Sequence, residues 1–254
     1  MALIETDSLV LKCYNLAEAD KIVVLLTHDH GIVRGVAKGA KRLKSRFGSG
    51  LEPFSEVRAT YYQKENSELV SIQKIELVRS NFAAASDPEF LQKFSYLGDL
   101  IVSFLPPHDP NETLYRMVRA SIDAAVADHG SLAAIGMYFE LWLLRLAGYL
   151  PDWSRCDQCG RVLVADEEAN VQANFHLLCI NCRKAASSRV LDGRAREAVS
   201  QAMKLAPTAF AATVTDSPEL LTTVSRILRD IISHSIGREI AGETSLTLGA
   251  NSSK

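Results

Sequence analysis

The chain has 254 residues, a formal net charge of -2, 47% hydrophobic and 23% charged residues. These are the proportions of a folded globular protein and exclude a disordered, collagen-like or single-sign polyelectrolyte chain. The start, "MALIETDSLVLKCYN", has no basic leader with an apolar block and a small-residue cleavage site, and the most apolar later stretch, 131–150, is interrupted by Glu140 and Arg145. The reading is a cytoplasmic chain with no membrane segment.

Residues 1 to about 80 carry β-branched and aromatic runs broken by turns. Strands are predicted at Ser8–Tyr14, Lys21–Thr27, Gly31–Ala37, Glu56–Gln63 and Leu69–Val78, with turns at "NLAEAD" and "HDHG". Five short strands over that length suit a small closed barrel. Leu9, Leu11 and Cys13 alternate with Ser8, Val10 and Lys12, which puts Cys13 on the core face as a small hydrophobe. His28 and His30 could hold a metal, but Gly31 directly after them favours a turn between strands.

Between the third and fourth strands runs "RGVAKGAKRLKSRFGSG", with six cations and no acid. Arg34, Lys38, Lys41, Arg42, Lys44 and Arg46 make a local positive field that the net charge conceals, and phosphate backbones are the commonest target of such a field. GxxxxGK[ST] cannot be matched there, which argues against a nucleotide loop. On a barrel, basic loops and stacking aromatics bind single strands; Phe47, Tyr61 and Tyr62 are the nearby aromatics. The plain reading of the same run is a solvated loop.

From Asn81 the pattern turns helical. "SDPE" at Ser86, "DPNE" at Asp109 and "SPE" at Ser217 each pair a Ser or Asp cap with Pro at the first helical position. Phe90, Phe94, Leu97, Ile101 and Leu105 share one helical face, and Leu114, Met117, Val118 and Ile122 another. Leu132, Ile135, Phe139, Trp142 and Leu146 trace a helix apolar all round, which predicts burial. Helix resumes at about Asp192, and Leu220 through Ile236 builds the longest amphipathic one. The expected organisation is a nucleic-acid-binding barrel at 1–80, a helical domain at 81–242 interrupted at 154–186 by a cysteine module, and a frayed tail at 243–254.

That module holds "CDQC" (Cys156, Cys159) and "CINC" (Cys179, Cys182), nineteen residues apart. Two CxxC turns supply a tetrahedral thiolate shell with Zn–S bonds of roughly 2.3 Å. Four thiolates leave no open position for water, so such a site is structural. Spacing alone does not choose between zinc and iron. His176, three residues before Cys179, is read as a neighbour of the site, and "DEEAN" at 166–170 as the solvated hairpin tip. No Ser-His-Asp elbow, HExxH, GxGxxG or HxE deaminase motif is present, so the chain is read as a non-enzyme.

The run "GIVRGVAKGAKRLKSRFGSGLEPFSEV", the later "FELWLLRLAGYLPDWSRCDQCG" and the "LCINC" pair, in this order, resemble the RecO family of bacterial DNA repair and recombination mediator proteins, from about residue 3 to 240. The resemblance implies an α+β multidomain protein: a five-stranded OB-fold β-barrel, then an α-helical domain with an embedded four-cysteine zinc module. It further implies binding of single- and double-stranded DNA and annealing of complementary strands. With RecR, the family helps displace single-strand binding protein so that RecA can load, and it binds that protein's C-terminal tail. Carried over, Lys38, Lys41, Arg42, Lys44 and Arg46 would contact DNA, and Cys156, Cys159, Cys179 and Cys182 would hold one structural zinc. The expected location is cytoplasmic and nucleoid-associated. Two other classes stand beside this one: a protein-interaction adaptor built on the module and the helix from Glu219 to Ile240, and a metal-dependent hydrolase, which would need an open metal position.

Overall fold

A computed structural model describes residues 2–64, 67–183 and 189–237. The chain divides into two compact units, the first running from the start to His129 and the second beginning at Gly130. The expected tail at 243–254 lies outside the described residues.

The first unit is built on β1 (Ala2–Leu16), β2 (Asp20–Thr27), β3 (Gly31–Ala37), β4 (Glu56–Gln63) and β5 (Leu69–Arg79). They close in the order β1-β2-β3-β5-β4, antiparallel except for the β3–β5 pair, and this is an OB-fold barrel. The interior is filled by Val10, Val23, Leu25, Val33, Val57 and Tyr61 with their neighbours. Gly35 sits on this wall, where a Cβ would come within 2.5 Å of Ile72. The "HDH" run forms the β2–β3 turn. Gly31 leaves it at φ +63°, with Asp109 so near that a Cβ would stand 2.2 Å from its carbonyl oxygen.

The expected parity of β1 is half right. Its register against β2 slips between Val10 and Lys12, a β-bulge that makes Leu11 the extra residue. Val10 and Cys13 therefore both pack with the barrel interior. Leu9 and Leu11 are buried outside that cluster, on the strand against which α2 packs. Cys13 donates from its thiol to the Leu51 carbonyl at 3.1 Å, and burial pushes the thiol up to about 11.

A short α1 (Phe82–Ala85) leads into α2 (Pro88–Phe104) and α3 (Glu112–Ala127). Asp87 caps α2, accepting from the Phe90 N–H at 2.9 Å. The rings of Phe90 and Phe94 stack at 4.5 Å and meet Phe54 edge-on. The cap of α3 is Asn111, accepting from Leu114 N–H at 2.9 Å, rather than Asp109. Glu56 on β4 accepts from Arg79 at 2.5 Å and from Arg119 of α3 at 3.0 Å, while Arg79 also pairs with Asp123.

In the second unit α4 (Leu132–Leu146) is buried on nearly every side, as its all-apolar pattern predicts. Trp142 donates to the Ala202 carbonyl at 2.8 Å and Tyr138 to that of Leu205 at 3.2 Å, tying α4 to the end of α5 (Gly193–Ala202). Helices α6 (Pro207–Val214) and α7 (Pro218–Ile236) complete the bundle, with Val224, Ile227, Leu228, Ile231 and Ile232 of α7 buried. Ser217 precedes Pro218, but its hydroxyl makes no cap bond. A small sheet, β7-β6-β8, made by Leu177–Leu178, Ala169–Val171 and Val190–Leu191, carries the cysteine module. Among the described residues no helix is long and apolar enough to cross a membrane.

Candidate nucleic-acid interface and metal centre

The basic run leaves β3 and becomes a chain of hydrogen-bonded turns. Arg42 N–H donates to the Gly39 carbonyl at 3.1 Å, Ser45 N–H to that of Arg42 at 2.9 Å, and Gly50 N–H to that of Phe47 at 3.0 Å. Its base is fixed to the β1–β2 turn, because Gly39 N–H donates to Asp20 Oδ1 at 2.8 Å and Lys41 N–H to the Ala19 carbonyl at 2.9 Å. Asp20 thus holds backbone and not a cation. Gly39 takes φ +73°, which permits the turn.

Arg34, Lys38, Lys41, Arg42, Lys44 and Arg46 are all exposed, and none forms an ion pair among the described residues. Lys41 Nζ donates to the Ala17 carbonyl at 3.4 Å. Arg46 donates to the Ile72 carbonyl at 3.3 Å and lies 5.0 Å from the centre of the Phe47 ring. These carbonyl contacts brace the two side chains without neutralising them. The aromatic candidates separate. Phe47 and Tyr61 belong to the barrel core and offer no stacking face, whereas Tyr62 on β4 is 37% exposed and lies across from Leu3. Sequence reading missed one apolar group: Leu43, between Arg42 and Lys44, is fully exposed.

The four predicted cysteines come together. The Sγ atoms of Cys156, Cys159, Cys179 and Cys182 all lie within 4.8 Å of one another. The Cys159–Cys179 separation is 4.0 Å, close to the edge of about 3.8 Å of a tetrahedron with 2.3 Å metal–sulfur bonds. Both CxxC segments are tight turns: Gly160 N–H donates to the Cys156 carbonyl at 2.9 Å, with Gly160 at φ +72°, and Cys182 N–H to that of Cys179 at 3.1 Å. Burial opposes ionisation of Cys156, yet the N–H groups of Cys179, Cys159 and Gln158 pull its thiol down to about 6. Hydrogen bonds with Cys179 and Cys159, together with burial, push Cys182 up to about 12. Four thiols this close lose all their protons only with a cation among them, so the donor set fits a soft divalent metal.

The surroundings of the cluster departed from expectation. "DEEAN" is a solvated tip only in part: Asp166 and Glu168 are exposed, but Ala169 and Asn170 are buried in β6, and Glu167 accepts from both ends of the Arg161 guanidinium, one bond measuring 2.9 Å. Arg196 of α5 was missed altogether. It is buried and donates to the carbonyls of Ala165 at 3.2 Å, Glu167 at 2.8 Å and Val164, clamping the loop that follows the first cysteine pair. His176 stays a neighbour, with Nδ1 3.1 Å from Asp157 Oδ1.

An OB barrel with an unneutralised cationic loop, joined in one chain to a helical unit with a half-buried four-thiol cluster, defines an α+β class with one polycationic surface and one metal-type donor set. The comparisons make this specific. The family model described as Recombination protein O N terminal matches residues 1–81, and Recombination protein O C terminal matches 86–242. A "DNA repair protein RecO" from Koribacter versatilis is 34% identical over 191 residues, covering 73% of this chain and 75% of the relative. A second from Geobacter metallireducens is 32% identical over 184 residues, at 72% and 74% coverage, and one from Myxococcus xanthus is 29% identical over 243 residues, at 93% of each. The chain belongs to the RecO family of DNA repair and recombination proteins.

Proposed function

We propose that this protein is a DNA-binding recombination mediator in DNA repair and not an enzyme. In this reading Arg34, Lys38, Lys41, Arg42, Lys44 and Arg46 hold the phosphates of single- and double-stranded DNA, and complementary strands anneal on the barrel. With RecR, the protein helps load RecA onto DNA covered by single-strand binding protein, whose C-terminal tail it binds. Residues 1–80 form the DNA-binding domain. Residues 81–242, interrupted at 154–186, serve protein partners, with one structural zinc on Cys156, Cys159, Cys179 and Cys182. The zinc would contribute folding energy, and its closed shell leaves no position for a reacting water. The reading also takes the protein to be cytoplasmic and associated with the nucleoid.

The observation that carries the proposal is that all six cations are exposed and free of carboxylates. Phosphate contacts hold a nucleic acid without reading its sequence, so many sequences should bind alike. If about four of the cations engage, the log-log salt slope on single strands should be about -3. Reversing the charge of Lys41, Arg42 and Lys44 together should flatten that slope and weaken binding in a folded protein. Unchanged affinity in that variant would remove the basic run from the interface and favour the adaptor reading.

A further inference from the structure

The turn that carries the cations also carries a side chain that cations alone do not explain. Leu43 is fully exposed, flanked by exposed Arg42 and Lys44; the other exposed leucines of the barrel, Leu3, Leu69 and Leu77, lie on paired strands and keep part of their surface covered. It sits at the apex of the turn closed by Ser45 N–H on the Arg42 carbonyl at 2.9 Å, one turn beyond the Gly39–Arg42 bond, and both are anchored through Ala19 and Asp20. Hydrogen-bonded backbone therefore holds the leucine outward. An apolar group presented this way, between two cations that would draw a polyanion against it, finds its broadest apolar complement in nucleic acids in the faces of the bases. Leucine is among the side chains that wedge against or between bases.

Resting on the DNA-binding reading above, we propose that Leu43 contacts an unpaired base of single-stranded DNA while Arg42 and Lys44 hold the flanking phosphates. An unstacked base has a free face for Leu43, whereas the bases of a relaxed duplex are stacked and paired. The residue would thus favour single strands over duplex, which the phosphate-holding cations cannot do.

The test compares unmodified protein, Leu43→Ala and Lys44→Ala on a single-stranded oligonucleotide and on the same sequence as a blunt duplex, each across a salt series. Leu43→Ala should lose roughly fivefold in single-strand affinity, from the apolar contact removed, and less than about twofold on duplex, with the salt slope unaltered. Lys44→Ala should weaken both ligands and lower the slope by about 0.7 on single strands. Leu43→Trp supplies an independent reading. Both native tryptophans, Trp142 and Trp153, lie in the second unit, so a new emission component quenched by the single strand and not by the duplex reports stacking. Equal losses on both ligands for Leu43→Ala, or no loss on either together with an unquenched new component in Leu43→Trp, would overturn the base contact and leave the phosphate contacts standing. Failure of the unmodified protein to bind either oligonucleotide would instead overturn the DNA-binding reading itself.

Discussion

Arg196 is only 8% exposed, and its guanidinium faces backbone carbonyls from Leu163 to Glu167. A buried cation with this many acceptors is a clamp between α5 and the cysteine module. Truncating it removes the donor shared by these carbonyls and the packing of its guanidinium beneath the loop. Arg196→Ala is therefore expected to cost about 3 kcal/mol in urea unfolding of the full chain. Arg196→Lys should recover less than half of that, since one ammonium cannot match the planar fork. Sequence pattern could not mark this residue. On an amphipathic helix a charge is read as solvated, and only the position of Arg196 beside the buried Ala195 and Val199 hinted otherwise. Arg161 and Glu167 escaped for a related reason: their pairing exists only once the hairpin has closed. Leu43 was passed over because a single leucine in a cationic run reads as noise until its exposure is known. Phe47 and Tyr61 stayed open between ligand and core, because aromatics next to a basic loop look the same in sequence whichever they face; both fill the core.

At the scale of elements, the five strands and four long helices were legible because turns, β-branched runs and Pro-containing caps punctuate them. β3 and β4 were read to the residue. The parity of β1 was not legible, since a bulge adds one residue with no sequence signature of its own. Capping was legible at α2 and misplaced by two residues at α3. The α2 cap makes a pH-dependent prediction. The N–H of Phe90, and then His129, hold Asp87 below its ordinary value of 3.8; Asp87 in turn, with Glu89 and Asp128 nearby, holds His129 above 6.5. A lowered carboxylate contributes stability above 3.8 that is lost as pH falls through its folded value. A raised histidine contributes below 6.5 and loses that contribution as pH rises through its folded value. The pair is therefore strongest between those two limits. Both groups are exposed, so the effect is small. The urea midpoint of His129→Gln, compared with that of the unmodified protein, should differ more at about pH 5.5 than at about pH 8. An equal difference at both would detach His129 from the cap.

At the scale of the molecule, a net charge of -2 coexists with a cationic run because the acids lie elsewhere in the chain and pair among other groups. The four-cysteine spacing was the most legible feature, because a tetrahedral shell constrains sequence separation directly; the choice of metal was not, because the same thiols suit more than one ion. Elemental analysis should find about one metal per chain, since the four sulfurs form a single shell. Its removal by a strong chelator, or Cys156→Ser, should lower the thermal midpoint followed by tryptophan emission. That signal belongs to the second unit, where Trp153 donates to the Phe175 carbonyl at 2.9 Å within the module. An unmoved midpoint after complete metal loss would make the site dispensable for folding.

The closed order β1-β2-β3-β5-β4 gives every barrel strand two hydrogen-bonded neighbours. Where a strand is paired on both sides an incoming extended peptide cannot continue the sheet, and the lateral strand-to-strand stacking that seeds fibrils is resisted; the β3–β5 seam, three residue pairs long, is the narrowest of these closures. A ligand lying across the paired strands meets their side chains. The three-stranded sheet of the cysteine module, ordered β7-β6-β8, is different: its outer strands have one strand neighbour each among the described residues, and the Leu177 carbonyl of β7 is taken by the Asp157 N–H at 2.8 Å, so the loop of the first cysteine pair covers that edge.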